Sequence, residues 1–329
     1  MKWLTRTLAL LALAMSIACG DYFSSTWSKD NPPTLEESLS ELLSIDCAQV
    51  THLKGITPNT HFKGKEAVER CAMEQRFLRA IIDDDLHTYE AMLGRGEWVR
   101  YFLFYTSKPP RLEITPLMVS IVFHSSHVFE RILSEAGRVD ILSKNAPRFN
   151  INRMISDDYT ALGAFKLRDR IYNVNGVSAL DLAAMYHRYD MFWSLLQQGA
   201  TYISPKHPQS NGIITFGDAN ILELMLQFDR GFLQDFGGGG VLHYAAREGN
   251  IELLEYLITQ KNIPIDSLKA GETPLDVALN GKNFQHKPQL EVAKKLIELG
   301  AKPSEANERR LGRLLKKEAG DTDEAGQGN

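Results

Sequence analysis

The chain repeats one layout of residues four times, and this constrains its fold more than any other feature. The Leu of a Thr-Pro-Leu-like element recurs at Leu117, Leu180, Leu242 and Leu275, so the intervals are 63, 62 and 33 residues. After each Leu come small residues, then a polar turn, then a longer apolar run. Because the first two intervals are nearly twice the third, the pattern predicts a unit of about 33 residues with degenerate copies between the clear ones.

The start of each segment carries the residues that begin a helix. Thr273 can cap a helix, Pro274 suits its first position, and Asp276 can bond back to the cap. Ser178 and Asp181 have the same spacing. Two short helices separated by a turn cannot bury their apolar faces alone, so we expect each pair to be stabilised by its neighbours.

These segments resemble the ankyrin repeat family, most clearly at Val177–Ala200 and Gly239–Ala301. The resemblance implies an all-α solenoid of about six or seven helix pairs over residues 75–303. Degenerate pairs are expected at Phe77–Gly96, near Gly212–Asp229, and between about Asp140 and Arg170.

Both ends of the repeat region carry further predicted elements. Thr34 and Glu37 have capping-box spacing, which predicts a helical cap over residues 34–74. Residues 304–329 are expected to form a C-terminal capping helix and a disordered tail. The basic cluster Arg309–Lys317 alternates with Leu residues, which favours an amphipathic closing helix, with contact to a membrane surface as the alternative.

The N-terminus has the features of an export signal. Lys2 and Arg6 precede the apolar stretch Leu8–Ile17, which is too short to span a bilayer and predicts a signal peptide over residues 1–18. Ser16-Ile17-Ala18-Cys19 resembles a bacterial lipobox, which implies a lipid such as palmitate on Cys19, followed by a tether over residues 19–33. We therefore expect an outer-membrane lipoprotein facing the periplasm, with simple cleavage and release as the alternative.

Two further cysteines remain, Cys47 and Cys71. In an oxidising compartment an even pair favours a disulfide, which would stabilise the chain by about 3 kcal/mol. Two buried free thiols are the alternative.

No motif predicts catalysis, a metal site or a cofactor. Gly237–Gly240 lacks the residues of a phosphate loop, and Asp83–Asp85, His124 and His127 fall where turns are expected. The ankyrin resemblance gives His243 a packing and capping role. A net charge of −4 disfavours nucleic acid as a partner. The sequence therefore predicts a non-enzymatic protein.

The resemblance implies binding through a concave face formed by exposed positions of the first helices. An overlong loop that covers this face is the alternative. The aromatic segment Trp98–Arg111 adds a second candidate surface. The candidate partner-binding residues are Val119, Val122, Phe123, Leu182, Met185, Tyr186, Tyr244, Arg247, Glu248, Tyr101 and Tyr105.

An exported lipoprotein with such a face resembles the immunity proteins paired with secreted antibacterial toxins. The implied partner is a toxin effector, for instance a type VI phospholipase. The alternative is an envelope scaffold or chaperone for an endogenous protein.

Overall fold

The computed structural model describes residues 34–50, 52–54, 61–97, 102–103, 112–135, 151–152, 156–157, 164–167, 170–173, 177–200, 212–234, 240–280 and 288–325. The predictions for residues 1–33, including the signal peptide, Cys19 and the tether, lie outside these ranges. The chain divides into two compact units, Met1–Leu182 with Gln198–Ala200, and Ala183–Gln197 with Thr201–Asn329.

The first unit combines helices with short strands. Its elements are α1 (Leu35–Ser44), a 3₁₀ turn (Cys47–Gln49), β1 (His52–Lys54), β2 (His61–Lys63), α2 (Lys65–Ile82), α3 (Leu86–Gly94), β3 (Phe102–Leu103), β4 (Leu112–Ile114), α4 (Pro116–Phe123), α5 (Ser126–Leu133), β5 (Ser156–Asp157), β6 (Ala164–Leu167) and β7 (Arg170–Asn173). All strand pairs are antiparallel: β1 with β2, β4 with both β3 and β5, and β6 with β7. Helix α6 (Ala179–Met185) begins in this unit and ends in the second.

Helix α1 begins with the predicted capping box. Thr34 accepts a hydrogen bond from the backbone of Glu37, whose carboxylate accepts from the backbone of Thr34. Its apolar face, Leu35, Leu39 and Leu42, is buried. Helix α1 packs against α2, α4 and β6, so this N-terminal helix covers the first helices of two successive pairs.

A disulfide joins the segment after α1 to α2. Cys47 and Cys71 are bonded, with Cα atoms 5.6 Å apart. The Gln75 side chain donates to the carbonyls of Leu42 and Ile45, at 2.8 Å each, and so satisfies acceptors at the C-terminal end of α1. Helix α2 therefore holds the N-terminal segment by a covalent bond and by two hydrogen bonds. Helix α2 also runs without a break through the boundary predicted between residues 74 and 75.

In the first unit, the first helices of successive pairs pack against each other, and so do the second helices. Helix α2 packs against α4, and α3 packs against α5. Asp84 occupies the turn between α2 and α3 with a φ of 53°, and its carboxylate accepts hydrogen bonds from the backbone N–H groups of His127 (3.2 Å) and Val128 (2.9 Å) at the start of α5. A turn side chain of one pair thus caps a helix of the next pair.

The second unit contains helices and no strand among its described residues. After the end of α6 come α7 (Tyr189–Gln197), α8 (Gly212–Phe216), α9 (Ala219–Phe228), α10 (Gly240–Glu248), α11 (Ile251–Thr259), α12 (Pro274–Asn280), α13 (Leu290–Glu298) and α14 (Glu305–Ala325). The first helices α8, α10, α12 and α14 pack in sequence, and so do the second helices α7, α9, α11 and α13. Two parallel rows of helices result, as stacked helix pairs require.

Paired apolar residues on the second helices form the shared core, as the sequence predicted. Leu195 and Leu196 on α7, and Leu253 and Leu254 on α11, are each at most 1% exposed. The Asn250 side-chain amide, in the turn before α11, donates to the carbonyls of Ile214 (3.0 Å) and Gly217 (2.9 Å) in the preceding pair. Its Oδ1 accepts from the Leu253 backbone, so one side chain caps its own helix and bonds to the neighbouring pair.

Six helix–turn–helix pairs follow one another in the described residues, and the fold is all-α with short hairpins, as predicted. The degenerate pair expected near Gly212–Asp229 is α8 and α9. The pair expected between Asp140 and Arg170 lies mostly outside the described residues, and the described residues of that stretch include strands β5 and β6. Phe165 and Tyr172 pair across β6 and β7, and such aromatic residues suit a pleated strand.

Candidate protein-binding surface

The structure corrects four of the predicted partner-binding positions. Val119 and Leu182 are 0% exposed, and Val122 and Met185 are 1% exposed, so none of these side chains can reach a partner. Helix α4 is enclosed by α1, α2 and α5. Both α4 and α6 are apolar or small on nearly every face, which is typical of helices covered on all sides. In the first unit, helix α1 covers α4, whereas the alternative prediction was cover by an overlong loop.

Two other predicted residues lie at the ends of first helices. Phe123 ends α4 and is partly exposed, and Tyr186 follows α6 with the Arg188 guanidinium 5.9 Å from its ring centroid. Tyr101 and Tyr105, the candidates from the aromatic segment, lie outside the described residues.

The remaining predicted residues share one face of α10. Tyr244, Arg247 and Glu248 are spaced i, i+3 and i+4, and all three are partly exposed. The Arg247 guanidinium lies 4.9 Å from the centroid of the Tyr244 ring, and its Nε donates to the Glu248 carboxylate at 2.7 Å. The sequence thus identified a real cluster in the second unit.

The loop between α11 and α12, residues 260–273, contributes two residues that the sequence analysis missed. Lys269 places its ammonium 4.2 Å from the Tyr244 ring centroid, so two cations contact one aromatic ring. Leu268, beside it, is 71% exposed, an unusual exposure for a large apolar side chain. The signal for both was available, because the Gly271–Leu275 run places the preceding residues at the tip of an inter-pair loop.

His243 holds this loop in place. Its ring Nε2 lies 2.7 Å from the carbonyl oxygen of Glu272, while Lys269 and Glu272 exchange backbone hydrogen bonds across the loop. His243 is buried, as expected for a packing and capping residue. The loop is therefore attached to α10 next to Tyr244.

Helix α12 begins with the predicted cap. Thr273 donates its backbone N–H and its hydroxyl to Asp276, at 2.7 Å each, and accepts from the Asp276 backbone. Burial opposes ionisation of Asp276, but these bonds and one from Asn307 outweigh it and hold its pKa below the usual value. Asn307 is buried on α14, so the cap also fastens the last helix.

Polar contacts connect the 260–273 loop to α12 and α14. Asn280, at the end of α12, donates to the Glu272 carboxylate at 2.8 Å and accepts from the guanidinium of Arg310 on α14. We name Tyr244, Arg247, Glu248, Leu268 and Lys269 the Tyr244 surface. Asn280 and Arg310 form its border.

The other candidate residues have structural roles. His124 ends α4 in the left-handed conformation, and His127 lies at the start of α5 with its Nδ1 2.7 Å from Asp84. Asp85 caps α3 through the Thr88 backbone N–H. Among the described residues no group of three or more His, Cys, Asp or Glu side chains is arranged to hold a metal ion. Gly240 begins α10, and Gly237–Gly239 lie outside the described residues.

In the part of the chain that the structure describes, no helix combines the length and apolarity that crossing a membrane requires.

A family model supports the repeat assignment in the C-terminal part of the chain. A family model described as ankyrin repeats (3 copies) matches residues 213–307, which include the Tyr244 surface. The crystal structure of the human ASB11 ankyrin repeat domain is similar at 18% identity and a TM-score of 0.29, over 82% of this chain and 98% of that chain.

Proposed function

Because residues 213–307 are ankyrin repeats, we propose that this protein works by binding a protein partner through the Tyr244 surface and catalyses no reaction. The observation that carries the proposal is an aromatic ring contacted by two cations, beside an apolar side chain that is 71% exposed. Tyr and Arg are enriched at the energetic centres of protein interfaces. The exposed side chain of Leu268 next to them offers a partner an apolar contact.

Cross-linking at defined positions tests this binding site. A photo-reactive amino acid replaces Tyr244 in one variant and Phe228 in another, in the source cells. Phe228 is the matched control because it is a large apolar residue, 47% exposed, on a second helix. We expect a discrete cross-linked protein at position 244 and none at 228. Equal cross-linking at both positions would contradict the proposed surface.

The proposed cellular role is immunity against a secreted antibacterial toxin, with the protein held in the envelope by a lipid on Cys19. The support is the export signal and lipobox of the sequence together with a repeat-built binding surface. Loss of the protein should then sensitise cells to a toxin delivered to the periplasm. The double variant Tyr244→Ala, Leu268→Ala should fail to protect, while Phe228→Ala protects fully. A Cys19→Ser variant that still incorporates radiolabelled palmitate would contradict the anchor.

An envelope scaffold or chaperone for an endogenous protein is the second candidate, and it uses the same surface. The identity of the cross-linked partner separates the two roles. A secreted hydrolase encoded beside this protein favours immunity, and a resident envelope protein favours the scaffold.

A further inference from the structure

Three lysines of the second unit, one just after α11 and two on α13, have carboxylate partners. Lys261 pairs with Glu223 on α9, Lys294 pairs with Glu291 at 2.7 Å, and Lys295 pairs with Glu255 at 3.2 Å. Positive charge on this side of the unit is therefore neutralised within the protein itself.

Two cations at the Tyr244 surface and its border differ from these lysines. The Lys269 ammonium contacts the Tyr244 ring, and the Arg310 guanidinium bonds to the neutral amide of Asn280. No carboxylate among the described residues lies within ion-pair distance of either cation. Arg247, by contrast, pairs with Glu248. Lys269 and Arg310 therefore present positive charge that the described part of the fold leaves uncompensated.

Hydrogen bonds connect the two cations across the surface. Lys269 pairs by backbone with Glu272, the Glu272 carboxylate accepts from Asn280, and Asn280 accepts from Arg310. These contacts fix the backbone at Lys269 and the guanidinium of Arg310, and the Tyr244 ring positions the Lys269 ammonium. Ordering these groups therefore costs a bound segment less free energy than ordering two free side chains would.

The charge distribution along the chain agrees. The whole chain is acidic, with a net charge of −4, yet the run Arg309–Lys317, which includes Arg310, holds five basic residues and no acidic one. A local positive region on an acidic protein can steer an oppositely charged partner to one place.

We propose that the segment bound at the Tyr244 surface is acidic, with carboxylates that pair with Lys269 and Arg310 and an apolar side chain that contacts Leu268. This inference rests on the proposed function and gives the partner its chemistry. A protein segment is favoured over nucleic acid because the chain is acidic overall and Leu268 offers an apolar contact.

A peptide selection tests the proposal with a defined probe. The immobilised full-length chain selects from a phage-displayed library of random 12-residue peptides, and selected sequences are resynthesised for affinity measurement. The test variant is Lys269→Met, Arg310→Gln. The matched control, Lys294→Met, Arg309→Gln, makes the same charge change at cations that pair with Glu291 and Glu305. Circular dichroism of each variant confirms that it is folded.

The expected result has three parts. Selected peptides are enriched in Asp and Glu relative to the library, and their affinity decreases as salt increases. The test variant binds them about tenfold more weakly or worse, as expected when partners of charged pairs are removed. The control variant binds them as the wild type does.

Several results would overturn the proposal, and they separate it from the proposed function. Selected peptides without acidic enrichment, which Tyr244→Ala, Leu268→Ala no longer binds, would refute the acidic chemistry and leave protein binding intact. Equal affinity in the test variant would do the same. A 12-nucleotide oligothymidine that binds as tightly as the peptides would assign the cations to phosphates. No enriched peptide at all would count against both the proposed function and this inference.

Discussion

Asp84 should stabilise the protein through a helix in the following pair. Its carboxylate accepts from the first-turn N–H groups of His127 and Val128 on α5, while Ser125, at the N-cap position of α5, makes no side-chain cap bond. Removing a helix cap costs about 1 kcal/mol, within a range of about 0.5–2. We therefore expect Asp84→Ala to lower the free energy of unfolding by about 1–2 kcal/mol.

The backbone at Asp84 separates the lost cap from strain. Its φ of 53° is left-handed, where Ala is strained and Gly is not. Asp84→Gly also loses the cap but avoids the strain, so it should be more stable than Asp84→Ala by about 1 kcal/mol. Asp83→Ala is the matched control, because Asp83 is in the same turn with an ordinary φ and should change stability by less than about 0.5 kcal/mol.

The ionisation of Asp84 gives a second, independent expectation. Burial opposes ionisation, but bonds from Val128 and His127 outweigh it, so the pKa is lowered. A lowered pKa means that this contribution is fully present above the unfolded value of about 3.9 and is lost as pH falls through the folded value. The difference between wild type and Asp84→Ala should therefore shrink as pH falls below about 4.

Equilibrium urea denaturation, followed by far-ultraviolet circular dichroism, measures these differences. Hydrogen exchange of residues 126–133 tests where they arise, since α5 should exchange faster in Asp84→Ala. Unchanged stability in Asp84→Ala, or an equal loss in Asp83→Ala, would refute the idea that one pair caps the next.

Two further predictions concern the disulfide and a crowded glycine. Cys47 and Cys71 are 24 residues apart, and replacing both by Ser should lower the free energy of unfolding by about 3 kcal/mol. The stability of this variant should no longer depend on reductant. A change in its free energy of unfolding on addition of dithiothreitol would contradict this. Gly217→Ala should destabilise by about 1–3 kcal/mol or more in the same denaturation assay, because its Cβ would lie 2.4 Å from the Ile213 carbonyl oxygen. Gly312→Ala on α14, with nothing within 4 Å, is its control and should be neutral or stabilising.

Local signals in the sequence predicted the helix starts. Thr34 with Glu37, and Thr273 with Asp276, are bonded as expected, because both partners lie within one helical turn. The 33-residue period likewise identified the last pairs, since their apolar runs are strong. Such features depend on few residues and little on the rest of the fold.

Long-range packing was beyond the same reasoning. Val119 was expected to be exposed because the ankyrin layout leaves that position open, but α1 packs over α4. The nearly uniform apolarity of Pro116–Phe123 already indicated a helix that is buried on all sides. The contact between Lys269 and Tyr244 joins residues on different elements, and only the conformation of the 260–273 loop brings them together.

The bonds that Asp84 and Asn250 make to neighbouring pairs bear on how such a protein can diverge. Most of their acceptors and donors are main-chain atoms, namely the N–H groups at the start of α5 and the carbonyls at the end of α8. Every amino acid except proline supplies both groups. Mutations can therefore accumulate in the neighbouring pair without breaking the contact between the two pairs, provided that a helix still starts or stops there. At both contacts a single side chain therefore carries the sequence requirement, and the neighbouring pair can vary widely and still assemble.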